Sequence, residues 1–144
     1  MTYEASARPT MLVVDDEPSI CELIGEVAES EGYDVALASA RDDIDRLIVL
    51  DHDITVLDLD LGRADDDDVL RALAMRCPGA RVVFVSGADA GTVVDAHRRA
   101  ATYGLQVVGS CAKPFDLRTF RRVLSRHNHG LPAEFAGSGH STPL

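Results

Sequence analysis

The chain is short of basic charge, of cysteine and of long apolar runs, and each shortage removes a class of protein. Against 24 Asp and Glu stand only 14 Lys and Arg, a net charge of -10. A phosphate backbone demands a basic face, so this balance argues against nucleic-acid binding by the domain. Cys21, Cys77 and Cys111 are odd in number and lack metal-type spacing, so they read as reduced thiols. No apolar stretch approaches the ~20 residues of a membrane helix. The opening MTYEASARPT lacks the charged-then-apolar profile of a leader. A cytoplasmic protein with no membrane partner is therefore expected, and its 144 residues suffice for one domain with a sizeable core.

What the sequence does have is a set of apolar runs that stop in charged residues. MLVV ends in Asp15-Asp16, ITVL in Asp58, and VVGSCA in Lys113-Pro114. An abrupt stop of this kind reads as a buried strand delivering its charge to the carboxyl edge of a sheet, where open α/β folds place ligands. Strand-like segments at Met11 to Asp15, Tyr33 to Ala38, Ile54 to Asp58, Arg81 to Ser86 and Gln106 to Cys111 alternate with helix-like ones. That alternation predicts a doubly wound, five-stranded parallel sheet with helices on both faces.

The helices follow from periodicity. Ser19 to Glu31 carries Ile20, Leu23, Ile24, Val27 and Ala28 on one face, started by Pro18 and stopped by Gly32. Ala40 to Leu50, Asp66 to Arg76 and Leu117 to Arg126 repeat the pattern, while Ala90 to Tyr103 has only a thin stripe and should be weakly anchored. Asp65 to Asp68 read as a solvated acidic loop. The last stretch, HNHGLPAEFAGSGHSTPL, reads as a flexible tail, its His127, His129 and His140 included. The expected division is an extension over 1–9, a folded domain over 10–126 and a tail over 127–144.

In a doubly wound sheet Asp15, Asp16, Asp58, Ser86 and Lys113 converge. Clustered carboxylates repel and raise one another's pKa unless a cation compensates. Mg2+ suits the set, because it takes oxygen ligands and is commonly held by one or two carboxylates plus a phosphate oxygen. Asp15 or Asp16 together with Asp58 would supply carboxylates, with a backbone carbonyl near Asp60 as a further oxygen. Asp58 is then the candidate nucleophile for an aspartyl phosphate. Lys113 would neutralise the phosphoryl oxygens and Ser86 would donate its hydroxyl to them.

The strings VVDDEPS, ITVLDLDL, VVFVSG and AKPF, in this order and spacing, resemble the receiver domain of two-component response regulators over about residues 10 to 126. The resemblance implies a flavodoxin-like fold with strand order 2-1-3-4-5, a relationship the chemotaxis receiver exemplifies. It also implies Mg2+-dependent phosphoryl transfer to Asp58 from a sensor histidine kinase or phosphotransfer protein. Asp15 and Asp16 match the acidic pair, Ser86 the switch hydroxyl, Lys113 the lysine, and Pro114 the residue that follows a cis peptide in this family. The expected role is a stand-alone signalling module, not an enzyme acting on other substrates. Its downstream protein target would dock on the Ala90–Arg126 face, formed by Ala90 to Tyr103, Gln106 to Cys111 and Leu117 to Arg126.

Three positions depart from the family pattern. Leu61-Gly62 stands where Met-Pro is usual, which predicts a freer loop after Asp58. Asp65-Asp66 replaces an Asp-Gly turn, removing a residue suited to positive φ. Ser110 occupies the usual aromatic position three before the lysine, so the usual coupling of hydroxyl to aromatic cannot run unchanged. Two other readings remain at this level: a haloacid-dehalogenase-like phosphatase using Asp58 and Asp60, and a degenerate receiver that binds a partner without phosphorylation.

Overall fold

A computed structural model of the chain describes residues 8–48, 50–61, 63–87, 89–113 and 117–126. The strands are β1 (Thr10–Val14), β2 (Asp34–Ala38), β3 (Ile54–Asp58), β4 (Arg81–Ser86) and β5 (Gln106–Ala112). The helices are α1 (Pro18–Ser30), α2 (Arg41–Leu47), α3 (Arg63–Arg76), α4 (Ala90–Thr102) and α5 (Leu117–Arg126), with a 3-10 turn at Leu59–Leu61. All strand pairs are parallel, and the sheet runs β2-β1-β3-β4-β5. The order reverses between β1 and β3, so Asp15 and Asp58 leave adjacent strands at the crevice where such sheets bind ligands.

The period of two along each strand sends alternate side chains to two separate cores. Met11, Val13, Ile54, Val56, Val83 and Val85 pack with α1 and α5 through Ile24, Val27, Phe120 and Leu124. Leu12, Val14, Leu57, Val82 and Phe84 face the other way, onto α3 and α4 through Val69, Leu70, Leu73, Ala96 and Ala100. Each fully buried aliphatic or aromatic side chain of this kind contributes about 1.5 to 3 kcal/mol. The Tyr33 hydroxyl donates to the Leu124 carbonyl at 2.8 Å and fastens α5 to the turn after α1. That turn passes through Gly32 at φ 97°, the left-handed conformation that ends helices.

On β5 the register slips against β4 between Val82 and Val83, so that Val82 pairs with Val107 and Val83 with Gly109. Gly109 then lies under α5, where a Cβ would stand 2.9 Å from Cγ2 of Val123. Only a residue without a side chain permits that approach.

Element boundaries are within a residue of expectation at most ends, and two regions differ. The second helix stops at Leu47 instead of Leu50, where Nε2 of His52 meets the Leu47 carbonyl at 2.9 Å and satisfies the helix end. The third begins at Arg63, so Asp65 to Asp68 are helical and do not form an acidic loop. Carboxylates in a first turn interact favourably with the helix dipole. Arg41 of α2 also bridges to Asp65 and Asp68 at 3.4 and 3.5 Å. The chain after Asp58 therefore enters a 3-10 turn and then a helix, with no long loop between. No non-glycine residue has positive φ among the described residues, so the missing Asp-Gly turn is met by an earlier helix start and not by strain.

The helix α4 has the expected thin stripe, with Ala96 and Ala100 its buried residues. Polar ties supplement it. Asp89 caps the helix by accepting from the Thr92 amide at 2.9 Å. Arg99 and the Tyr103 hydroxyl both reach Asp67 of α3, at 3.4 and 2.7 Å. The tail over 127–144 with its histidines, Pro114 and its peptide bond, and most of the extension over 1–9 lie outside the described residues.

Candidate functional site

Three strand ends supply the site. Asp15, the residue after β1, is fully buried, and its Oδ1 accepts from the Glu17 amide at 2.9 Å. Asp58 closes β3 at 1% exposure, and its Oδ1 accepts from the Asp60 amide at 2.9 Å. Asp16 is exposed beside them. The three offer carboxylate oxygens that all lie within 4.8 Å of one another, the only such trio among the described residues.

Lys113 follows β5 and is held from behind, its amide donating to the Ser86 carbonyl at 3.0 Å. Its ammonium lies 3.1 Å from Asp58 Oδ1, 3.0 Å from Asp60 Oδ2 and 4.0 Å from Asp15 Oδ2. Burial works to lower the Lys113 pKa, yet the hydrogen bonds that its ammonium donates to Asp60 and Asp58 outweigh it and hold the amine firmly protonated. Asp15 moves the other way. Burial pushes its carboxyl up to about 6 against the Glu17 amide, with the Asp58 charge adding to the rise and Lys113 opposing it.

One ammonium does not satisfy this much negative charge. Oδ2 of Asp15 and Oδ2 of Asp58 are both buried without a hydrogen-bond partner. Buried polar atoms in this state are rare and mark a place for a missing ion or group. Two hard oxygens, with exposed Asp16 between them and solvent, form the donor set Mg2+ prefers. The residues therefore fit a magnesium ion.

The structure brings Asp15, Asp16, Asp58, Asp60 and Lys113 together, and Ser86 ends β4, the strand between those that deliver Asp58 and Lys113. Asp60 stands apart from the metal-facing trio. Its Oδ2 is engaged by Lys113 and by the Gly87 amide at 3.3 Å, which makes it a brace for the lysine. Ser86 is 6% exposed and lines a cavity of about 200 Å³ with Phe84, Val93, Ser110, Cys111 and Ala112. Ala88 lies outside the described residues.

Sequence reasoning missed His97. Its Nε2 meets Ser110 Oγ at 2.9 Å and its ring sits edge-on to Phe84 at 5.4 Å. It projects from the exposed side of α4, where periodicity carries no signal for a cross-element partner.

Residues 11–125 match the family described as the response regulator receiver domain. The chain belongs to that family. The match decides between the receiver and phosphatase readings of Asp58-Leu59-Asp60. The chain is 38% identical over 102 residues to the alginate biosynthesis transcriptional regulatory protein AlgB of Pseudomonas aeruginosa, covering 69% of this chain and 22% of that protein. It is 30% identical over 133 residues to the DNA-binding response regulator MtrA of Mycolicibacterium smegmatis, covering 92% of this chain and 57% of that one. The receiver thus spans about a fifth of one relative and somewhat over half of the other. Those names describe whole proteins, and the expectation of no nucleic-acid partner draws no support from them.

Among solved structures, a response regulator from Colwellia psychrerythraea superposes with a TM-score of 0.71 at 26% identity, over 82% of this chain and 94% of that one. The chemotaxis protein CheY4 of Vibrio cholerae shares the fold, with a TM-score of 0.68 at 19% identity over 84% and 99% of the two chains. The flavodoxin-like order 2-1-3-4-5 is thereby shown. Receivers are signalling domains. No described helix is long and apolar enough to cross a membrane.

Proposed function

We propose that Asp58 is the phosphoacceptor of this receiver. The phosphoryl group comes from the phosphohistidine of a sensor kinase or phosphotransfer protein, and the signal leaves as a phosphorylation-dependent protein contact on the α4-β5-α5 face. The observation that carries this reading is the division of labour at Asp58: Oδ1 is held by Lys113 and the Asp60 amide, while buried Oδ2 has no hydrogen-bond partner beside the equally unpartnered Oδ2 of Asp15.

A nucleophile fixed through one oxygen presents the other in a defined direction, which is the orientation effect that accelerates such transfers. The free oxygen forms the new P–O bond as the P–N bond to the donor imidazole breaks, and the electron pair leaves with the imidazole. Lys113 neutralises negative charge on the phosphoryl oxygens, with Asp60 holding its ammonium in place. Asp15 and Asp16 would hold Mg2+ beside the attacking oxygen, where the ion would supply charge neutralisation at the phosphoryl oxygens. Ser86, at the adjacent strand end, is the hydroxyl available to a phosphoryl oxygen.

Incubation with acetyl phosphate and Mg2+, read by intact-mass spectrometry, tests the proposal. The wild type gains the mass of one phosphoryl group, and Asp58→Asn gains none. A wild type that stays unmodified even with a cognate kinase present would make the domain a phosphorylation-independent binding module.

A further inference from the structure

A second polar opening lies between the first turns of α3 and α4. It has a volume of about 330 Å³ and is lined by Asp66, Asp89, Asp95 and Arg99, with Leu59 and Thr92 among its walls. The volume is within the range of small-molecule sites.

Asp66 is the unusual member. It is 2% exposed, and its Oδ1 is buried with no hydrogen-bond partner. A charged group left in that state forfeits more than the ~1 to 3 kcal/mol of an ordinary unsatisfied polar atom. The nearby guanidinium is committed elsewhere, since Arg99 bonds Asp95 at 3.0 Å and Asp67 at 3.4 Å. Asp89 caps α4 through Oδ1 and is otherwise exposed at the mouth. The lining therefore carries three carboxylates against one cation.

A single metal ion does not suit this set. Among the described residues only Asp15, Asp16 and Asp58 bring three ligand atoms within 4.8 Å of one another, so Asp66, Asp89 and Asp95 are too dispersed to close around one ion. Dispersed carboxylates, an apolar wall at Leu59 and room for several heavy atoms suit a larger cation with an alkyl body.

We propose that the α3-α4 cavity binds a small organic cation of the alkylammonium or guanidinium kind, anchored by Asp66 and met at the mouth by Asp89 and Asp95. The proposal does not require Asp58 to be a phosphoacceptor. Leu59 follows Asp58 directly in sequence, so occupancy of the cavity and chemistry at Asp58 share one stretch of backbone. Any coupling between them is reciprocal.

The test titrates the full chain, saturated with MgCl2, with putrescine, and follows backbone amides by NMR. N-acetyl-lysine methylamide and neutral 1,4-butanediol are titrated alongside. Saturable shifts centred on residues 66, 89, 92 and 95 are expected with the ammonium probes and none with the diol. Tighter binding of putrescine identifies a free diamine as the ligand class, and tighter binding of the lysine amide identifies a basic side chain of a protein partner. Asp66→Asn weakens binding about ten-fold or more. Asp89→Ser, which keeps the helix cap while removing the mouth carboxylate, weakens it as well and serves if Asp66→Asn does not fold. Unaltered affinity in Asp66→Asn and Asp89→Ser, or equal shifts with the diol, would overturn the proposal.

Discussion

His97 of α4 reaches over β5 and joins Ser110 at 2.9 Å, placing a ring from a helix where the family usually carries one on the strand. The cavity of about 200 Å³ bounded by Ser86 and Ser110 lies on the same side of the sheet as Phe84, whose ring His97 touches edge-on. A ring carried by α4 ties the movement of that helix directly to β5. Beryllofluoride with Mg2+ should therefore shift amide resonances at the Asp58 site and along α4 in the wild type. In His97→Ala the shifts at the site should persist while those on α4 shrink by more than half. Equal α4 responses in both would remove His97 from the route.

Among the described residues Lys113 is the one cation that the Asp15, Asp58 and Asp60 carboxylates share. In Lys113→Met a part-buried hydrogen bond to Asp58, worth about 1.5 to 3 kcal/mol, and an exposed one to Asp60, worth less, are lost. The variant should lose a few kcal/mol of stability at pH 8 in chelator, measured by urea unfolding, and regain part of it in MgCl2. Phosphorylation by acetyl phosphate should fall at least as far as in any variant other than Asp58→Asn.

Asp66 gives the domain a pH dependence with a definite sign. Burial pushes its carboxyl from 3.8 up to about 7, opposed by Arg99 and reinforced by the charges of Asp58, Asp65 and Asp60. Between those values the folded state holds a proton that the unfolded chain has released, so this group's contribution to stability falls as pH rises from about 4 through 7. Asp66→Asn removes that slope. Chemical denaturation at pH 5 and pH 8, with MgCl2 present throughout, should show the variant gaining relative to wild type at the higher pH. A difference independent of pH would place the ordinary carboxylate value at Asp66.

Gly109→Ala should cost about 1 to 3 kcal/mol, the usual penalty for overpacking a core. The new Cβ would stand 2.9 and 3.1 Å from the two γ-methyls of Val123, a side chain stiff at χ1. Combining it with Val123→Ala should give less destabilisation than the sum of the two single changes. Strict additivity in that double-mutant cycle would refute the steric account.

Much of the fold and the site is legible in the sequence. Runs such as ITVLD announce a buried parallel strand because both faces are covered, and β3 and β4 have the bounds the runs suggest. The charged stops placed Asp15, Asp58 and Lys113 at one edge for the same reason. Asp66 and Asp67 escaped notice because four consecutive aspartates look alike in sequence, and only helical rotation separates them. It turns Asp66 inward, holds Asp67 against Tyr103 and Arg99, and leaves Asp65 and Asp68 to Arg41. The bond of the Asp60 side chain to Lys113 was not legible, because it depends on how far a lysine from another strand can reach.

The fastening of Tyr33 to Leu124 sets an order on the birth of the molecule. Phe120, Val123 and Leu124 form one wall of the core that also contains Met11, Val13, Ile54 and Val83. While the chain emerges from the ribosome amino end first, the layer over α3 and α4 has all its buried residues by residue 105. The opposite layer waits for the last helix. A nascent receiver therefore passes through a stage in which α1 covers its part of that sheet face and the part under α5 is still open. Emergence and docking of α5 end that exposure.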